Sequence, residues 1–252
     1  MKQNNKTNME QNKKRTKQSQ IIISVVAAIL AVVALILMIW MINKNGNTTP
    51  PQATLPKTTM PPQFTSKELK ERYEYNNDVV GWITVPGTDI NEEVLQASDN
   101  DYYLRRKIDK TNSIWGCYFV DFKCNLKSKE DLSRVIIIYG HSLKDYSDGK
   151  KFTQLKRYND IDFCKQNQII SFSLLYEKLD FQIFAISKMP IDFNYIEAEP
   201  TNDKFGEVLA KLYETNINFF PEIKVSKDDH ILLLQTCTSD KNYRYIVAAK
   251  LI

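Results

Sequence analysis

Histidine is nearly missing from this sequence: His141 and His230 are the only two in 252 residues, so any imidazole chemistry must run through one of them. Cysteine is scarce as well, with four (Cys117, Cys124, Cys164 and Cys237) and no C-x-x-C pair. That is too thin for a disulfide scaffold in a domain of this size, and the first three read as small buried apolar residues. Several motifs are absent: H-E-x-x-H, G-x-S-x-G, the P-loop and G-x-G-x-x-G. Zinc proteolysis, serine-hydrolase chemistry and nucleotide binding therefore lack their usual residues. Ser98-Asp99-Asn100-Asp101 has neither the spacing nor the bidentate Glu of a calcium loop and reads as a solvated turn. Neither a metal nor a cofactor is expected.

Charge is missing from one stretch and concentrated in another. Residues 21 to 43 carry none, while the first 20 carry six basic residues against Glu10, a net of +5. With +4 for the whole chain, the remaining body nets −1. A nearly neutral body argues against a nucleic-acid-binding domain, which needs clustered Lys and Arg to neutralise phosphates. Ile21 to Ile42 is an uncharged run of 22 residues with Ser24 as its polar interruption, long enough to cross about 30 Å of hydrocarbon as a helix. It exceeds the apolar core of a signal peptide, and no small-x-small cleavage site follows. The expected organisation is a cytoplasmic basic tail over 1–20, a transmembrane helix over 21–42 and an extracellular remainder, because the basic residues precede the span and only Lys44 follows closely. Residues 43–65 hold five of the nine prolines among Thr, Gln and Asn, the composition of a linker stiffened by polyproline II geometry.

A folded domain is expected over 66–252. Thr65 or Ser66 can cap a helix running to about Tyr75, with Glu68 and Glu71 in its first turns. Short apolar segments closed by turns follow: Gly81 to Val85, Glu93 to Leu95, Trp115 to Val120, Arg134 to Tyr139, Ile169 to Leu175 and Phe181 to Ile186. Short helical turns are expected over Ser98 to Leu104 and Lys151 to Tyr158. Residues 203–215 place Phe205, Val208, Leu209 and Leu212 at helical spacing, interrupted by Gly206. Many short strands with few helices indicate an antiparallel β-barrel or sandwich with helices at its edge.

The last stretch, Ile231 to Ile252, reads as two strands joined by a hairpin loop. If Cys237 closes the first strand and Arg244 opens the second, directly opposed Cα atoms would lie within about 5.5 Å, a register that a one-residue slip would destroy. Cys237 then meets the needs of a nucleophilic thiol: a strand end beside a polar loop, with a positive group nearby. His141 follows Val135-Ile136-Ile137-Ile138-Tyr139-Gly140 at another strand end, a better active-site position than His230 beside Asp228 and Asp229. No local rule brings His141 to Cys237.

These residues carry a resemblance. A basic tail with an apolar span, a proline-rich stalk, Val80-Gly81-Trp82-Ile83-Thr84-Val85-Pro86-Gly87-Thr88, Asp99-Asn100-Asp101-Tyr102-Tyr103-Leu104, Tyr139-Gly140-His141-Ser142 and Leu234-Gln235-Thr236-Cys237 before Arg244 together resemble a sortase, over about residues 66–252. The opening motif, the N-x-x-Y-L pattern and a helix ahead of the cysteine strand are most similar to class B, while Leu233 and Thr238 depart from its usual residues. The resemblance implies a mostly β fold: a closed sortase-like barrel of about eight strands, with an N-terminal helix and a helix before the penultimate strand. It implies a membrane-anchored cysteine transpeptidase with His141, Cys237 and Arg244 as catalytic residues, and with Asn100, Leu104 and Thr236 in the peptide groove. The implied partners are secreted proteins bearing a C-terminal sorting motif, a peptidoglycan or lipid-linked precursor amine, and the membrane through the N-terminal anchor. A hydrolysis-only cysteine protease and a non-catalytic surface-binding module on the same barrel are the rival expectations.

Overall fold

A computed structural model of the chain describes residues 64–142 and 149–252, all of which fall within one compact unit. The expected basic tail, the membrane helix and all but the last two residues of the linker lie outside the described residues. Among the described residues no helix is long and apolar enough to cross a membrane.

Helix α1 (Lys67–Tyr75) starts where its cap chemistry dictates: the Ser66 hydroxyl oxygen accepts the Leu69 N–H at 3.0 Å, satisfying one of the otherwise unpaired amides of the first turn. Thr65, the other candidate cap, instead donates its hydroxyl to the Leu174 carbonyl at 2.9 Å and its amide to the Leu175 carbonyl at 2.9 Å. This ties the entering chain to the end of the strand Ile169–Leu174.

Nine strands follow among the described residues: β1 (Val79–Thr84), β2 (Asn91–Leu95), β3 (Tyr118–Val120), β4 (Val135–Tyr139), β5 (Ile169–Leu174), β6 (Lys178–Pro190), β7 (Asn216–Phe219), β8 (Ile231–Cys237) and β9 (Tyr243–Leu251). They pair in the order β5-β1-β2-β3-β4-β8-β9-β6-β7, and β6 also pairs with β5, closing eight of them into a barrel. The long β6 makes this possible, with Lys178–Gln182 facing β5 and Ala185–Ser187 facing the appended β7.

The barrel is not the antiparallel one that short strands suggested: β2–β3 and β4–β8 are parallel pairs. Parallel neighbours need long crossover connections and leave both strand faces covered. The β4–β8 pair has both features, since Ile136, Ile137, Ile138 and Leu232, Leu233, Leu234 are all fully buried. Truncating one of them should be expensive. Ile137→Ala is expected to cost about 2–5 kcal/mol, read as a lowered denaturant midpoint at constant slope. A loss under about 1 kcal/mol would contradict the placement of β4 at the centre of the sheet.

Helix α3 (Asn202–Glu214) is capped by Thr201, whose hydroxyl accepts the Lys204 N–H. It buries Phe205, Val208, Leu209 and Leu212 as the spacing predicts. Gly206 faces open space, where a missing side chain costs no packing. Between α3 and β8 lies β7, which sequence reading omitted, as it did α2 (Ile161–Gln166). The latter is short, but its start was written in Asp160, whose carboxylate accepts the amides of Asp162 and Phe163. Before it, Lys151–Asn159 forms a 3-10 helix with most of its side chains buried.

Candidate active site

Three adjacent strands end at one edge of the barrel. β4 and β8 run parallel in a register that pairs Tyr139 with Gln235, and two bonds extend it: Gly140 N–H to the Gln235 carbonyl at 3.2 Å and the Thr236 hydroxyl to the Gly140 carbonyl at 2.7 Å. His141 and Cys237 each come two residues after the Tyr139–Gln235 pair, on the neighbouring segments that leave β4 and end β8. β8 and β9 are antiparallel, with Cys237 directly opposite Arg244, the register on which the sequence reading depended. The long-range step that no local pattern could supply is the β4–β8 pairing.

Gly140 joins the end of β4 to His141. Its role in the structure is spatial: a Cβ there would meet the Phe152 ring at 2.5 Å and Tyr118 at 2.9 Å, so the strand end carrying His141 can approach the 3-10 helix only without a side chain.

The three residues line a cleft of about 430 Å³ together with Asn100, Leu104 and Thr236, so all six sequence-derived positions share one space. Arg105, Phe119, Tyr139, Gly140, Ile196 and Gln235 complete the lining. Its lining includes two arginines and no acidic residue, so the local charge favours developing negative charge.

Cys237 is exposed, whereas Cys117, Cys124 and Cys164 are buried, and all four are free thiols. Burial pushes the thiols of these three up to about 12, which leaves Cys237 as the accessible sulfur. Its backbone carbonyl accepts a hydrogen bond from the buried Lys156 ammonium at 3.2 Å, and that ammonium lies 4.0 Å over the Tyr245 ring. Lys156 thus holds the end of β8 from below.

His141 Nε2 lies 2.7 Å from the Leu104 carbonyl. A carbonyl only accepts, so Nε2 carries the proton and Nδ1 keeps its lone pair. Burial pushes the imidazole below its ordinary value of 6.5, outweighing the Leu104 bond that raises it, and the nearby Arg105 charge lowers it further. The resting ring is therefore neutral at pH 7. His230 sits elsewhere, its Nδ1 at 3.1 Å from the Ser133 carbonyl.

Arg244 donates Nη1 to the carbonyls of Lys241 and Tyr243, at 3.3 and 3.0 Å, which anchors the guanidinium on its own loop with further N–H groups left over. Thr236 is buried with its hydroxyl committed to Gly140, and Leu104 contributes its carbonyl to His141. Both therefore shape the site as well as lining it. Sequence reading missed Arg105, Ile196 and Lys156. Arg105 directly follows the N-x-x-Y-L pattern and could have been found there. Ile196 lies in a loop without regular periodicity, and Lys156 in a segment read only as a short helix.

No protein-family model matches the chain. Among curated proteins it is 34% identical to sortase B of Listeria monocytogenes over 189 residues, covering 73% of this chain and 74% of that one. It is 31% identical to sortase B of Staphylococcus aureus over 194 residues, covering 76% and 75%. Among solved structures, a Staphylococcus aureus sortase B–substrate complex superposes with a TM-score of 0.65 at 29% identity, covering 73% of this chain and 84% of that one. With this fold and this similarity across most of its length, the chain belongs to the class B sortases, a family of cysteine transpeptidases.

Proposed function

We propose that this chain, anchored by Ile21–Ile42 with its barrel outside the cell, cleaves the C-terminal sorting signal of secreted proteins and joins them to a peptidoglycan or precursor amine. The observation that carries the reading is the exposed Cys237 thiol, opposite Arg244 in the strand register and lining one cleft with His141. The Cys237 sulfur attacks the carbonyl of a Thr-Gly or Thr-Asn type bond as its proton passes to the vacant His141 Nδ1. The Arg244 guanidinium faces the oxyanion of the tetrahedral intermediate. Collapse breaks the C–N bond, and His141 returns the proton to the leaving amine, leaving a thioacyl on Cys237. An incoming amine attacks this carbonyl and loses a proton to His141; collapse then breaks the C–S bond, and His141 returns that proton to the departing sulfur, restoring the thiol. Asn100, Leu104 and Thr236 border the path of the bound peptide.

Product analysis tests the reading. The full-length chain is incubated with peptides varying the sorting motif and with cell-wall amines; an amide-linked product is expected. Hydrolysis alone with every amine would sink the acceptor assignment. Arg244 offers a graded check: Arg244→Ala is expected to lower kcat/KM about 10²–10³-fold, and Arg244→Lys about tenfold or more, since it keeps the charge but loses the fork. Equal activity in Arg244→Lys and the unaltered chain would remove the guanidinium from the reaction.

A further inference from the structure

Behind the cleft wall lies a buried carboxylate that the reaction above does not use. Asp121 follows β3 and is only 2% exposed. Its Oδ2 accepts from Asn100 Nδ2 and from the Tyr139 hydroxyl, both at 2.8 Å, and its Oδ1 accepts from the Lys123 N–H at 3.0 Å. The backbone around it is fixed too. Its N–H donates to the Ile137 carbonyl at 2.9 Å, and its carbonyl accepts from Gln96 Nε2 at 2.9 Å and from the Cys124 N–H at 3.0 Å.

Donor and acceptor identity make this arrangement directional. The Asn100 group that faces Asp121 Oδ2 is the NH₂ end, which donates to it. On the other side the Phe122 N–H, which can only donate, lies 3.0 Å from Asn100 Oδ1. The Asn100 amide therefore cannot flip, and one N–H of its NH₂ group is left over. Tyr139 must likewise spend its hydroxyl hydrogen on Asp121, which leaves that oxygen's lone pairs as its remaining capacity. Both side chains line the cleft that holds His141 and Cys237.

We propose that Asp121 is a positioning residue that fixes the hydrogen-bonding polarity of the cleft wall, presenting a donor at Asn100 and an acceptor at Tyr139. The partner with matching chemistry is an amide group of an extended peptide, whose carbonyl accepts and whose N–H donates. This rests on the reading of the cleft as the peptide groove, and it assigns to a residue outside the lining part of the discrimination between peptides.

The test is a double-mutant cycle in the full-length chain, using the best substrate from the peptide screen. Asp121→Ala and Asn100→Ala are each expected to raise KM about tenfold with kcat within about threefold, and the double variant to lose about as much as either single one rather than their product. Alkylation of Cys237 by iodoacetamide should proceed at the unaltered rate in all three. If Asp121→Ala lowers the melting temperature substantially, Asp121→Asn takes its place: its amide offers one oxygen to three donors, and the same KM shift is expected. Multiplying losses, an unchanged KM, or slowed alkylation in the Asp121 variant would each overturn the positioning role. Absence of Cys237-dependent cleavage of any peptide by the unaltered chain would instead overturn the groove assignment and this inference with it.

Discussion

Cys237→Ala is expected to abolish transfer, lowering kcat/KM by on the order of 10⁴-fold or more, because the proposed reaction runs through an acyl intermediate on that sulfur and without it the remaining groups can only assist water. No other thiol can substitute. Cys117, Cys124 and Cys164 are buried with their thiols pushed up to about 12, and none of them lines the cleft. The variant should fold as well as the parent, since Cys237 is the exposed last residue of β8 while the apolar residues before it are fully buried. Melting temperature and steady-state rate therefore separate chemistry from stability. Residual activity above about 1% in a homogeneous preparation would mean that the thiol assists the reaction without carrying it.

His141→Ala is the second large effect, expected at about 10³-fold within the usual range for a positioned acid–base group. Its loss should fall on kcat and kcat/KM together, because in the proposed reaction the imidazole moves protons in the transition states and does not hold the peptide. The pH profile of the unaltered chain reports the same group. Burial and the Arg105 charge hold the imidazole below 6.5, and in the proposed reaction the neutral ring is the form that accepts the thiol proton. Activity governed by His141 should therefore fall as pH drops through a midpoint below 6.5 and be fully present above it. Arg105→Ala removes one cause of the lowering and should move that midpoint upward. An acid limb centred above 6.5 in the unaltered chain would contradict the buried neutral ring.

The legibility of this site divides along physical lines. Cys237 and Arg244 were within reach of the sequence because a hairpin is a local object: two apolar runs and a short polar loop bring its strand ends together. His141 was identifiable as a residue at a strand end, but its place in one cleft with Cys237 depends on a parallel pair between β4 and β8. The partners there lie 96 residues apart, as in Tyr139 and Gln235, and an apolar run such as Val135–Ile138 pairs as well with one neighbour as with another on pattern alone. The resemblance supplied that partner, and the structure shows the ladder responsible. The barrel's closure was of the same kind, since it depends on a single long strand, β6, pairing with both β5 and β9.

Side-chain commitments were further from reach. Nothing in the sequence shows that the Leu104 carbonyl sets the His141 tautomer, that Lys156 holds the Cys237 carbonyl, or that Asp121 orients Asn100 and Tyr139. Each is a contact between elements distant in the chain. Gly140 teaches the same lesson, because the need for glycine there arises from the Phe152 ring brought against it by folding. The small elements α2 and β7 were missed for a different reason: six and four residues are too few for periodicity to stand out.

Trapping the acyl intermediate tests the central claim most directly. The full-length chain is mixed with a cleavable sorting peptide without added amine, quenched in acid, digested with trypsin and analysed by mass spectrometry. The account predicts the peptide's N-terminal acyl portion on the fragment Asp228–Lys241, attached at Cys237, disappearing when an amine is added as the amide product forms. Transfer product made with no adduct at Cys237, or made by the Cys237→Ala chain, would contradict it.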